Sequence, residues 1–302
     1  MANKLIPFTF FLDMLGFGNK VGKINNIEQA KKFTEFMETN KSIFKNWSII
    51  DIVHNPSPDL INLVNCYEFN YTFISDSIVL SFIPKESKTY YTEMEYYNHS
   101  ANVFYLMVNR VNSILFNMLY EHKILLRGGI SKKFSYIKNE FVVGEGLIES
   151  YLLESKKAIY PRIILSKEFT DDSKFMSALK FTSNKMYNNS RLIKKDKDGY
   201  FFIDYLGYMI AQQESNKLRD KVGNKHYGEM KIKLAKDKMD ITNKRFFKVH
   251  KASIEDMYKF LESKRGTKQS SYIEEKYNWI KSYHNNHMKN KLSEFKIKEE
   301  AQ

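Results

Sequence analysis

The chain has 302 residues, of which 43% are hydrophobic and 15% aromatic, a composition that excludes an intrinsically disordered protein and allows a large core. Its single cysteine, Cys66, excludes an intrachain disulfide and fits a reducing compartment. The net charge is +13, and residues 166–302 carry +11 of it, which admits a nucleic-acid or acidic partner for that half. The lysines there are scattered among acids and amides, however, which favours a solvated helical surface and no nucleic-acid partner.

The predicted elements follow one another as strand, helix, hairpin, long helix, strand, strand, helix and strand. The first strand covers residues 5–13, a polar hairpin tip lies at Ser75–Ser77, and a long amphipathic helix runs over 96–122. This order predicts an α+β fold with helices on a mostly antiparallel sheet. We expect residues 1–210 to form the main domain and residues 211–302 a Lys-rich helical extension.

The apolar start of the chain resembles a secretion signal only superficially, because Asp13 interrupts it and no small-residue cleavage pattern follows. No apolar run reaches the length of about 18 residues that a membrane-spanning helix needs. The sequence therefore predicts a cytoplasmic protein without a membrane span.

Asp13 is the unusual residue of the first strand, because Phe10, Phe11 and Leu12 before it favour burial. A buried carboxylate must lose its charge or find a cation, and a metal ion is one such cation. The other interpretation is that Asp13 ends the strand and caps a turn or helix.

Asp76, at the hairpin tip, is a second acid between apolar β-type segments. If the first strand lies beside the hairpin, Asp13 and Asp76 point at one place and form an oxygen-rich site suited to Mg²⁺ or Mn²⁺. Gly16 and Gly18 follow Asp13, and backbone N–H groups at a helix start could there hold phosphate oxygens. This pattern is typical of phosphoryl transfer.

Several segments carry a family resemblance through their order and spacing. They are "FLDMLGFG", "YTFISDSIVLSF", "LLRGGIS" and "FVVGEGLIESYLLESKKAIYPRIILS". Together they resemble the catalytic domain of the class III nucleotide cyclases, whose fold is a ferredoxin-like sheet covered by helices. Within that group, the chain is more specifically similar to the pyrimidine nucleotide cyclases of bacterial Pycsar antiphage systems. The segments that carry this similarity are "RGGI", "LLES", "YPRI", "DGYFFIDYL" and "KYNWIKSYHNN".

The resemblance implies roles for individual residues. Asp13 and Asp76 match the family's two metal-binding aspartates, and the carbonyl of Met14 matches its backbone metal ligand, so the expected cofactors are two divalent ions, Mn²⁺ or Mg²⁺. Arg127 matches an arginine that grips the β and γ phosphates, whereas the residues alone favour a surface arginine at a strand end. Gly16 and Phe17 are expected to bind substrate.

The departures from the family pattern are informative. The usual transition-state Asn and Arg align with Ile148 and Leu152, which cannot donate a hydrogen bond. The Lys and Asp that select a purine align with Thr72 and Phe141, which argues against ATP and is consistent with a pyrimidine. The groups considered as replacements for the missing pair are basic: Lys132, Lys133 and Arg162.

The activity that the resemblance implies is conversion of UTP or CTP, with UTP preferred, into a 3′,5′-cyclic nucleotide and diphosphate. Each active site would be built from both chains of a homodimer, and the product would activate a separate effector in phage defence. The alternatives are a purine cyclase, a catalytically inactive nucleotide sensor, and a nucleic-acid-binding module that uses the basic C-terminal half.

The segment "IEEKYNWIKSYHNN" places aromatic residues at helical spacing, which suits packing against the core or against a dimer partner. His284 and His287 lie three residues apart and could bind zinc, but without a third ligand such a pair is more often structural.

Overall fold

The computed structural model of the chain describes residues 5–45, 66–85, 92–186, 192–211, 229–263 and 270–298. Its first half contains β1 (Phe8–Leu15), α1 (Phe17–Val21), α2 (Ile27–Lys45), β2 (Tyr67–Ile74), β3 (Ser77–Pro84), α3 (Glu93–His122) and β4 (Leu125–Ser131). Its second half contains β5 (Tyr136–Lys138), β6 (Phe141–Val143), α4 (Glu145–Lys156), β7 (Ile163–Leu165), α5 (Lys167–Thr170), α6 (Ser173–Met186), β8 (Ile193–Lys195), β9 (Phe201–Ile203), α7 (Glu229–Glu262), α8 (Ser270–His287) and a 3₁₀ helix (Asn290–Phe295).

The main sheet has seven strands in the order β2-β3-β1-β4-β7-β9-β8. All its described pairs are antiparallel except β4–β7. The first four strands, with α2 and α3 between them, form a β-α-β-β-α-β unit of the ferredoxin-like type. The predicted α+β fold with a mostly antiparallel sheet is confirmed.

The hydrophobic core lies between one face of this sheet and α3. Alternate residues of β1 point to opposite faces, and Phe8, Phe10 and Leu12 are each at most 1% exposed on the core face. Phe104 of α3 packs against Phe8 with ring centroids 5.7 Å apart. The opposite face carries Asp13 and packs against α4. Because Asp13 stays partly exposed on this face, a polar site can open there.

The long helix α3 begins and ends at residues that satisfy its backbone groups. Thr92 and Glu95 form a reciprocal capping box at its start, and Lys123, in the left-handed conformation at φ 55°, closes its end by donating its N–H to the carbonyl of Leu119. The helix therefore starts three residues before the predicted position at 96 and stops where the sequence predicts.

The C-terminal helix α8 docks on the core through a cage around Arg162. The Arg162 side chain is fully buried, forms ion pairs with Asp196 and Asp198, and lies over the rings of Tyr160 and Trp279, 4.9 Å and 5.7 Å from their centroids. Three separate segments, "YPRI", "KKDKDGYF" and "KYNWIKSYHNN", thus meet in one cluster. The interpretation that the last segment packs against the core is confirmed, and the core belongs to the same chain.

The structure differs from the sequence prediction at the end of β1, and it describes only part of the predicted C-terminal extension. Strand β1 continues to Leu15, so Asp13 lies inside the strand and does not end it; Gly16 precedes the following helix. The strand continues because Asp13 keeps its ladder partners on both sides, Ser77 and Arg127. Of the helical extension expected over residues 211–302, residues 212–228 lie outside the described residues, and α7 follows from Glu229. None of the described helices combines the length and apolar character needed to cross a membrane.

Candidate active site

Asp13 occupies a row of residues on the face of the sheet that packs against α4. It lies opposite Ser77 on β3 and opposite Arg127 on β4. Because directly opposite residues of an antiparallel pair share a face, these three side chains project to the same side. The next row on this face, two residues further along each strand, contains Phe11 and Thr72.

Asp76 lies in the turn between β2 and β3, where Ser75 adopts a left-handed conformation with φ 55°. The backbone N–H of Met14 donates a hydrogen bond of 2.9 Å to the carbonyl of Asp76, which ties this turn to β1 beside Asp13. The negative charge of Asp76 helps to raise the pKa of Asp13. The structure therefore brings the two predicted metal-binding aspartates together.

Arg127 is shared by two carboxylates. Its Nη2 lies 3.3 Å from Oδ2 of Asp13 and makes a closer ion pair with Oε1 of Glu154, on α4. The side chains of Asp13 and Arg127 are 21% and 18% exposed, whereas that of Glu154 is only 5% exposed. The interpretation of Arg127 as a surface arginine at a strand end is therefore wrong.

Glu154 is the residue of this cluster to which the sequence assigned no role, although it lies within the segment "LLES". It reaches Arg127 because α4 crosses β4 at very short range: a Cβ on Gly129 would lie 2.3 Å from the carbonyl oxygen of Ser150 and 2.5 Å from Cβ of Leu153. Only glycine permits this approach. One turn earlier, Ser131 of β4 donates a hydrogen bond to Glu149 of the same helix.

The electrostatics of the cluster favour an added cation. Burial raises the pKa of Asp13, Arg127 lowers it in part, and Asp76 raises it further. Burial likewise raises the pKa of Glu154, where Arg127 again opposes the shift and the charge of Asp13 adds to it. The carboxylates around Arg127 therefore carry more negative charge than its single positive charge can neutralise. Such a site suits a divalent ion with a preference for oxygen ligands.

The protein itself supplies few ligands for such an ion. Among the described residues no group of three or more His, Cys, Asp or Glu side chains is arranged to hold a metal. Asp13, Asp76 and the carbonyl of Met14 would therefore supply only part of an ion's ligands, and water molecules or the phosphate oxygens of a bound substrate would complete the set, as is usual for Mg²⁺. Carboxylate and carbonyl oxygens are ligand types that suit the predicted ions, Mg²⁺ and Mn²⁺.

The predicted phosphate segment follows β1 directly. Gly16 has φ +83°, a left-handed conformation that favours glycine, and α1 begins at the next residue, Phe17. Phe17 packs against Phe33 of α2 with ring centroids 5.7 Å apart. The expected helix start after Asp13 is confirmed, while the role of Gly16 and Phe17 in binding substrate stays a prediction.

The two residues predicted to read the base lie on different sheets. Thr72 is 6% exposed on β2, on the same face of the main sheet as Asp13. Phe141 begins β6 in the separate two-stranded sheet and is 75% exposed. Their contribution to base selection stays a prediction, in which Phe141 can act only on a ligand or partner that covers it.

Each basic residue considered as a replacement for the missing transition-state pair has acidic partners. Lys132 pairs with Asp172 at 3.1 Å, and Lys133 lies 3.5 Å from Glu168. Arg162 is fully enclosed by its two aspartates and two aromatic rings, so its role is structural.

The positions of the missing pair lie on an exposed apolar surface. Ile148 and Leu152, on α4, are 61% and 46% exposed. Other large exposed apolar side chains lie on the same helix, on the neighbouring β5–β6 hairpin and in the segment before it: Phe134, Tyr136, Phe141, Val143 and Tyr151. We call these seven residues the α4 surface.

His284 and His287 are bound within the protein. Nε2 of His284 lies 2.9 Å from the Phe295 carbonyl, so this nitrogen donates and Nδ1 is the acceptor of the neutral ring. His250 must then donate from Nδ1 to His284, at 2.9 Å, and accept at Nε2 from the Tyr205 hydroxyl, at 2.6 Å. His287 pairs with Asp204 at 2.9 Å. The structural interpretation of both histidines is confirmed.

Comparison with known proteins gives distant structural similarity only. No family model matches the chain, and no curated protein matches it. The adenylyl cyclase CyaB from P. aeruginosa is 11% identical with a TM-score of 0.36, over 65% of this chain and 92% of that protein. The guanylyl cyclase Cya2 is 13% identical with a TM-score of 0.32, over 67% of this chain and 93% of that protein. At these values the similarity assigns no activity to this chain.

Proposed function

We propose that the chain is a nucleotide cyclase, which converts a nucleoside triphosphate into a 3′,5′-cyclic nucleotide and diphosphate. The observation that carries the proposal is the meeting of Asp13 and Asp76 at the end of β1, tied by the hydrogen bond from Met14 to Asp76, with Arg127 opposite Asp13. Two neighbouring carboxylates beside one guanidinium are suited to metal ions and a polyphosphate.

In this proposal each residue has a defined task. Asp13, Asp76 and the Met14 carbonyl hold two divalent ions, Mg²⁺ or Mn²⁺. Bound there, such ions lower the pKa of the ribose 3′-hydroxyl and neutralise charge on the leaving diphosphate. Arg127 turns its guanidinium toward the β and γ phosphates and orients the triphosphate for attack at the α phosphate.

We further propose a pyrimidine substrate, with UTP preferred to CTP. The support is the sequence resemblance to the Pycsar cyclases and the absence of charge at Thr72 and Phe141, where a purine-selective site would carry Lys and Asp. The cyclic product would then be a second messenger for a separate effector in antiphage defence. A purine cyclase with other base-reading residues remains the rival within the same reaction class.

The active form is proposed to be a homodimer in which a second copy covers the α4 surface. Isolated exposed apolar residues are ordinary, but a group of seven on adjacent elements is typical of an interaction surface. Two residues of this surface, Ile148 and Leu152, favour a second candidate function, because their side chains cannot stabilise the transition state by hydrogen bonds. A chain that lacks this stabilisation from any source would bind nucleotide as a sensor without converting it.

The deciding experiment incubates the purified full chain with ATP, GTP, CTP and UTP in turn, with Mn²⁺, and resolves the products by chromatography and mass. The proposal expects a cyclic pyrimidine product that Asp76→Ala abolishes. A cyclic purine product would establish the rival cyclase. No product from any nucleotide, with nucleotide still bound, would establish the sensor.

A further inference from the structure

The Arg127 guanidinium lies at unequal distances from two carboxylates on different elements. Its ion pair with Glu154 is the closer one, whereas its contact with Asp13 is long, at 3.3 Å. Glu154 lies on α4 and Asp13 on β1, and Arg127 stands on β4 between them. Glu154 is therefore the nearer partner of the guanidinium, and Asp13 receives one long hydrogen bond from it.

We propose that Glu154 is a positioning residue that draws Arg127 away from Asp13 and so keeps the Asp13 carboxylate available to a divalent cation. The inference rests on the proposed function, since it concerns the metal ligand of that site. It adds a residue to which neither the motifs nor the resemblance assigns a role.

The physical argument concerns competition for one carboxylate. An arginine and a metal ion seek the same oxygens, and an arginine paired closely with Asp13 must be displaced before an ion can bind. Glu154 offers that arginine a second carboxylate at shorter range, on the side away from solvent. Lys276 of α8 is a further positive charge that acts on both acids, and its effect on the pKa of each is smaller than that of Arg127.

The position of Glu154 is fixed by packing, as a positioning role requires. The helix that carries it lies against Gly129, where no side chain could be added without a clash. The carboxylate is 5% exposed, so solvent cannot replace its partner. Without substrate, α4 therefore holds a carboxylate beside the Arg127 guanidinium.

The test measures binding of Mn²⁺ alone to the metal-depleted full chain, by electron paramagnetic resonance, without nucleotide. Glu154→Gln keeps the shape and removes the charge, so Arg127 should close on Asp13 and weaken Mn²⁺ binding by about 10-fold, the scale of lost metal-site support. Arg127→Gln should strengthen binding several-fold, because the competitor is gone. The double variant should bind at least as tightly as the wild type.

Glu149→Gln is the matched control, because Glu149 is a carboxylate of the same helix that bonds to the same strand one turn earlier. Its Mn²⁺ affinity should equal that of the wild type. Weak binding by the double variant would show that Glu154 is itself a ligand and would overturn the proposal. If Glu154→Gln does not fold, unchanged or weaker binding by Arg127→Gln overturns it equally.

The outcomes separate this inference from the proposed function. A wild-type chain that binds Mn²⁺ with an affinity insensitive to Glu154→Gln refutes the positioning role and leaves the cyclase proposal standing. A wild-type chain that binds no Mn²⁺ refutes both.

Discussion

Asp13 and Arg127 face each other across the antiparallel pair of β1 and β4, with Oδ2 of the aspartate 3.3 Å from Nη2 of the arginine. Strand pairing places the two residues opposite each other, so their arrangement does not depend on a flexible loop. The group proposed to bind phosphate and the group proposed to bind metal are thereby held in register by the backbone of the sheet.

Arg127→Lys should separate charge from geometry at this position. Lysine keeps the positive charge but loses the planar fork that binds two phosphate oxygens. We expect the KM for the nucleotide to rise by about 10-fold, with a smaller change in kcat, measured by release of diphosphate. An unchanged KM would mean that Arg127 does not contact the triphosphate.

Gly129→Ala should destabilise the chain, because its Cβ would meet backbone and side-chain atoms of α4 at 2.3 Å and 2.5 Å. We expect the free energy of unfolding in urea to fall by about 2 to 3 kcal/mol. Gly18→Ala is the control, since Gly18 has no positive φ and a Cβ added there would meet no neighbouring atom within 4 Å. Equal stability of the two variants would contradict the close approach of α4 to β4.

Ile148→Glu should disrupt the proposed homodimer by placing a charge on the α4 surface. We expect the sedimentation velocity of the variant to be that of a monomer and its cyclase activity to fall by at least about 10-fold. Ile27→Glu is a matched control, because Ile27 is 74% exposed at the start of α2, away from this surface. A wild-type chain that sediments as a monomer at all concentrations would refute the dimer.

Acid should weaken the fold through the buried histidines. Burial lowers the pKa of His284 from 6.5 to about 4, and it lowers the pKa of His250 in the same direction. Between pH 6.5 and about 4 the histidine binds a proton in the unfolded chain but not in the folded chain. Its contribution to the free energy of unfolding is therefore fully present above pH 6.5 and declines as the pH falls toward 4. The contribution of His284 is up to about 3 kcal/mol.

His284→Gln tests this pH dependence. The amide can accept from His250 and donate to the Phe295 carbonyl without titrating. We therefore expect denaturant midpoints that vary less between pH 7 and 4.5 than those of the wild type. An identical slope in both proteins would place the acid sensitivity elsewhere.

Local sequence patterns predicted the elements that build the site. The apolar periodicity of α3 and the polar tip at Asp76 are local signals, and both were confirmed. The end of β1 was predicted too early, because the sequence alone does not show that Arg127 supports an aspartate inside a strand. Propensity favours a strand end at such a residue, and the tertiary partner overrides it.

Long-range contacts explain what sequence reasoning missed. Glu154 reads as an ordinary surface residue of a helix, and only the approach of α4 to Gly129 buries it. Arg162 has partners more than 30 residues away, at Asp196 and Asp198. The exposure of Ile148 was equally hidden, since an apolar residue on an amphipathic helix is normally assigned to the core.

The cage around Arg162 also constrains how the chain can fold during its synthesis. Trp279 closes the cage, and the carbonyl of Phe295 fixes the tautomers of His284 and His250. Until these residues have left the ribosome, Arg162 and His250 have no complete set of partners. In that interval β9 can pair with β7 and β8 but lacks the packing of Trp279 on Phe202, and this is when a chaperone would have most to protect.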